Sequence, residues 1–156
     1  MTTAPALASS EAEFVRLGYS GASLHFRVQT GDLETFRACV HAIGAYNEFS
    51  PAAVSLRLGE IFGECECMEV GREGSPVIYA HLPFWSGQRA DRARAACGRT
   101  PGGNRKYEES ERRALASRVK TVGAALGASE IDELTVPETA LGLPAGTLIA
   151  VRLWWD

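Results

Sequence analysis

Apolar periodicity switches repeatedly along this chain but never settles into a βαβ repeat, and that restricts its fold more than any other feature. Leu24, Phe26 and Val28 alternate with His25, Arg27 and Gln29, the pattern of a strand with one face on a core and one in water. Thr30-Gly31-Asp32 breaks the strand and offers N-cap chemistry. Leu33, Phe36, Val40 and Ile43 then recur at helical spacing, so residues 32–46 form an amphipathic helix that Asn47 to Pro51 ends. Val54, Leu56 and Leu58 alternate again and predict a second strand. Ile61 to Val70 predicts a third, Gly71-Arg72-Glu73-Gly74 a hairpin loop, and Val77 to Leu82 a fourth strand closed by Pro83. The block from Val54 to Pro83 therefore reads as an antiparallel meander.

Beyond it, Arg89 to Cys97 predicts a short helix and Gly98 to Asn104 a loop. Tyr107 to Leu126 carries Leu115, Val119, Val122 and Leu126 on one face, with Gly127 as its C-terminal cap. Ile131 to Val136 predicts a short strand and Thr147 to Trp155 a final one. The order β-α-β-β-β-α-α-β-β specifies an α+β domain: a mainly antiparallel sheet with helices packed on one face.

A chain of 156 residues that is 46% apolar can bury one core without metal or disulfide staples. Residues 1–20 read as a partly disordered N-terminal segment. Residues 21–156 read as a single domain with a basic helical insert at about 87–120. Met1 to Ser10 has neither a basic leader nor a long apolar run, and no apolar stretch approaches the ~20 residues of a membrane span. The chain is expected to be cytoplasmic, with no membrane partner.

Cys65 and Cys67, two apart in a predicted strand, would share one face with Glu64 and Glu66 on the other. No second cysteine pair or His-x₃₋₅-His accompanies them, so core thiols are expected, with no metal and no cofactor.

Charge is sharply segregated. Gly87 to Lys120 holds ten of the sixteen basic residues and four acids, while the remainder holds six bases and fifteen acids. Such a field invites an anionic partner at one end. Glu108 with Arg112 and Glu109 with Arg113 are favourable i,i+4 pairs that compensate part of it. Arg89, Arg92, Arg94, Arg99 and Arg105 are left over. The run Gly98 to Lys106 adds glycines whose backbone N–H groups can converge on an anion just before a helix N-terminus. It has neither the order of a Walker A loop nor that of a dinucleotide fingerprint.

The expected anion-binding set is thus Arg89, Arg92, Arg94, Arg99, Gly102, Gly103, Arg105 and Lys106. Trp85 and Trp155 flank the basic region and are candidates for contact with a partner. His25 and His81 each sit in a predicted strand and are the candidate acid–base residues. Arg27 and Pro83 stand two residues on, where the paired His-x-Thr/Ser motifs of 2H phosphoesterases need a hydroxyl, so that chemistry is not carried over.

The primary expectation is a small binding protein, not an enzyme. Its Arg-rich lobe would engage nucleic acid or an acidic protein surface, with homo-oligomerisation possible. The alternatives are an enzyme acting on a phosphorylated small molecule through the glycine loop and a histidine, and an immunity or adaptor protein using the acidic residues Glu60, Glu64, Glu66 and Glu69.

Overall fold

The computed structural model describes residues 25–84, 106–138 and 142–156. Five strands and three helices are found among them, in the order β1 (His25–Thr30), α1 (Leu33–Ile43), α2 (Pro51–Phe62), β2 (Cys67–Glu73), β3 (Ser75–His81), α3 (Glu109–Ala125), β4 (Glu130–Thr135) and β5 (Leu148–Trp154). The strands form one antiparallel sheet of order β1-β2-β3-β5-β4, confirming the α+β class. No helix among the described residues is long and apolar enough to cross a membrane. The segments 1–24 and 85–105 lie outside the described residues, and with them Leu24, Cys97 and the helix expected from Arg89.

The main departure from the sequence reading is α2. Val54, Leu56 and Leu58 fit a strand, but Val54, Leu58, Ile61 and Phe62 also lie on one helical stripe, and those four are buried while Leu56 is 60% exposed. Ser50 accepts from Ala53 N, and Pro51 occupies the first turn, where its missing N–H costs nothing. The meander is therefore one hairpin preceded by a helix. Pairing of Glu73 with Ser75 across Gly74 (φ 78°) makes its turn tighter than the four-residue loop expected. Cys65 precedes β2 instead of sharing a strand face with Cys67. Cys65 joins the core under the helices, and Cys67 is buried on the opposite side of the sheet.

Register explains the layering. Val28, Met68, Val70, Ile78, Ala80, Val151 and Leu153 face the helices and join Phe36, Val40, Leu58, Leu115 and Val119 in one core. Phe36 and Phe62 meet at a 36° tilt with ring centres 5.1 Å apart, and Phe49 meets Trp155 edge-on at 5.0 Å. Gly123 lets α3 approach β5 closely, since a Cβ there would collide with the Leu153 side chain. Past the end of α3, Gly127 adopts φ 81°. Its N–H donates to Ala124 O and Ala128 N donates to Gly123 O, closing a Schellman cap.

Trp155 requires a second correction. It is fully buried, and its Nε1–H donates to Leu126 O at 3.0 Å, so it anchors the core instead of meeting a partner.

Candidate functional site

Two polar regions stand out, one on each side of the sheet. The first is the sheet face turned away from the helices. Successive residues of a strand alternate faces, so antiparallel register brings Arg27, Glu69, Glu73, Tyr79, His81, Arg152, Glu130 and Asp132 onto it. Arg27 lies 3.9 Å from both Glu69 and Glu73. Glu69 Oε2 is 3.0 Å from His81 Nε2. The Tyr79 hydroxyl donates to Glu73 at 2.6 Å. Arg152 donates to Asp132 at 2.9 Å, to Glu130 at 3.3 Å and to Glu73 at 3.4 Å.

Burial pushes the Glu73 carboxyl up, but hydrogen bonds from Tyr79 and Arg152 and the charges of Arg152 and Arg27 outweigh it and hold it below the ordinary carboxylate value. Tyr79 is raised above its ordinary value, by burial first and then by its bond to Glu73. Both arginines also lie over aromatic rings, Arg27 at 5.0 Å from the centre of Tyr79 and Arg152 at 5.3 Å from that of Trp154. Every charged member of this cluster has an opposite partner.

The second region is a cleft of about 370 Å³ at the end of the helical layer. Gly63 and Glu64 after α2, Pro83 after β3, and Tyr107, Glu111, Arg112, Ala114, Leu115 and Arg118 of the α3 arm line it. Arg118 is held in place by a two-pronged pair with Glu64 at 2.6 and 2.7 Å, which raises its pKa further.

Arg112 differs. It lies on the buried stripe of α3 with Leu115, Ala116, Val119 and Gly123, and is only 7% exposed. Its Nη1 donates to Tyr107 O at 2.9 Å and its guanidinium covers the Phe84 ring at 4.3 Å. No carboxylate among the described residues pairs with it, and its buried Nε–H has no acceptor. Glu108, expected as its i,i+4 partner, instead occupies the N-cap of α3 without a side-chain cap bond. An arginine cannot shed its charge, so burial leaves a cation whose partners among the described residues are one carbonyl and one ring. An orphaned buried donor costs about 1–3 kcal/mol.

Against known proteins, the chain matches no family model, no curated protein and no solved structure.

Of the residues singled out from sequence, Arg89, Arg92, Arg94, Arg99, Gly102, Gly103, Arg105 and Trp85 lie outside the described residues. Lys106 is exposed, two residues before the N-cap of α3. His25 opens β1, its side chain being outside the description, and His81 belongs to the open sheet face and is not a cleft residue. The acidic quartet does not make one surface: Glu60 is exposed on α2, Glu64 is spent on Arg118, and Glu69 belongs to the open sheet face. Glu109 and Arg113 do pair, at 3.0 Å, and Lys120 reaches Glu133 of β4 at 2.6 Å. Among the described residues, no three His, Cys, Asp or Glu side chains are gathered as a metal site.

Sequence reasoning missed Arg112 as the distinctive residue. Its signal was present as a charge at a stripe position, three residues before Leu115 and seven before Val119.

Proposed function

We propose that this chain is a cytoplasmic binding protein for an anionic partner, with recognition centred on the cleft where the Arg-rich segment enters α3. The observation that supports it is Arg112, a buried guanidinium with no carboxylate partner among the described residues, lining a cleft. Arg113, Arg118 and Lys120, by contrast, are already engaged by Glu109, Glu64 and Glu133. A cation left without a counter-ion in a concave site is a group whose stabilisation an anionic ligand completes. Lys106, exposed ahead of the helix, adds positive charge at the approach.

The test is stabilisation by anions. Benzoate, inorganic phosphate and a short oligothymidylate are each titrated against chloride at matched ionic strength, with the unfolding midpoint as readout. At least one anion should raise the midpoint in the wild type, and the rise should vanish in Arg112→Met. If none raises it beyond chloride, the chain is not an anion-binding protein of this kind.

A further inference from the structure

We infer that Arg112 is a clamp on the neck of the Arg-rich segment, joining the chain where it leaves the sheet to the chain where it enters α3. The neck is built from described residues on both sides. Leu82 N donates to Ile149 O at 2.9 Å, so the chain is held to β5 until just after β3. Phe84 follows two residues on, and Tyr107 stands two residues before the first residue of α3. Residues 85–106 lie between them in sequence, yet Tyr107 N donates to Phe84 O at 2.8 Å. A single backbone bond must then hold together two ends that chain entropy drives apart.

Arg112 supplies what that bond lacks. Its N–H donates to Glu108 O at 3.1 Å, so it belongs to the first turn of α3, whose buried stripe fixes its root. From there the side chain reaches both arms of the neck. The guanidinium covers the Phe84 ring at 4.3 Å, and Nη1 donates to Tyr107 O at 2.9 Å. Phe84, Tyr107 and Arg112 thus hold one another pairwise.

Arginine meets both demands of this position. A methionine could cover the ring but could not donate to Tyr107 O. A lysine could donate, but its compact ammonium has no plane to lay on the ring. This accounts for a charge on the buried stripe of α3, where periodicity asks for an apolar residue. The contacts use Nη1 and the flat face of the guanidinium and need no ligand, so the clamp does not depend on the anion-binding reading. Its consequence is geometric. Pro83, Tyr107 and Arg112 all line the cleft, so the Arg-rich segment is tethered by both ends at the cleft rim.

Amide hydrogen exchange at Tyr107, followed by NMR without added ligand, tests the clamp. Tyr107 N–H should exchange at least about tenfold faster in Arg112→Met than in the wild type, the worth of the lost hydrogen bond and ring contact. Ser129 N–H and Trp155 N–H, bonded to Trp154 O and Pro76 O away from the neck, should keep their wild-type rates. Arg112→Lys should restore part of the protection through its donor. Phe84→Leu, which removes the ring from the other arm, should accelerate Tyr107 in the same way, and it provides the readout should Arg112→Met fail to fold. Unchanged Tyr107 exchange in either variant would overturn the clamp. So would a rise shared equally by Ser129 and Trp155, because Arg112 would then support the whole fold and not the neck. Silence in the anion titration above would leave these rates as they are, so the two readings fail separately.

Discussion

The open sheet face and the α3 cleft hold the same kinds of side chain under opposite conditions. On the sheet face, two arginines meet four carboxylates, a tyrosine and a histidine, and each charge is answered within one network. In the cleft, one arginine is buried more deeply and is answered by no carboxylate among the described residues. The density of charge is therefore a poor guide to its availability. The crowded face is a lattice of answered charges across five strands, and the sparse cleft holds the cation for which we propose an anionic partner.

The comparison can be broken at several points. The largest effect is expected from Arg152→Met. It keeps the apolar stem over Trp154 but strips Glu73, Glu130 and Asp132 of a shared cation that is 18% exposed. A loss of roughly 1–3 kcal/mol in denaturant unfolding is expected. A loss below 0.5 kcal/mol, the scale of ordinary surface changes, would show that the lattice does not hold the sheet.

Acid should find the same lattice. The Glu73 carboxyl is held below its ordinary value, so its contribution is present above the unfolded-state pKa and fades as pH falls through the lower folded one. Glu133, lowered mainly by the hydrogen bond from Lys120, acts in the same sense. Stability should decline on acidification below the ordinary carboxylate range, and less steeply in Glu73→Gln. Identical pH profiles for the two proteins would remove Glu73 from the account.

Arg112→Met should cost little or nothing and can even stabilise, since an apolar side chain of similar length replaces a buried charge with no ionic partner. A loss of about 3 kcal/mol or more would mean that Arg112 holds the fold, and would move it from the cleft to the lattice side of the comparison. Smallest of all, Arg113→Ala should stay within about 0.5 kcal/mol, because its partner Glu109 is as exposed as it is.

Much of this architecture was legible in the sequence. The alternation around Val28, the cap at Asp32, the stripe from Leu115 to Leu126 and the glycine at 127 each carried a local signal that the packing did not overrule. Residues 51–62 misled because three alternating apolar residues fit both periods. Only the longer stripe to Phe62 and the Ser50-Pro51 start separate them. Trp155 misled because alternation says which face a strand residue takes but not what covers that face; Phe49 and Leu126 cover this one. Glu108 and Arg112 satisfied an i,i+4 rule, yet burial turned Arg112 toward Tyr107 O and Phe84 instead. The sheet-face lattice was out of reach, since it depends on which of five strands are neighbours.

The strand order also governs time. β2 with β3, and β4 with β5, are hairpins that can zip from local contacts, but the seam between β3 and β5 joins residues such as Val77 and Trp154 that are far apart in sequence. The last strand in chain order is an interior strand of the sheet. Until it arrives, β3 presents an unpaired edge, and folding waits on a search across that long separation. A substitution at the seam, at Ala80 or Val151, should therefore slow folding, and one inside either hairpin should slow it too, because those contacts are already made when the seam closes.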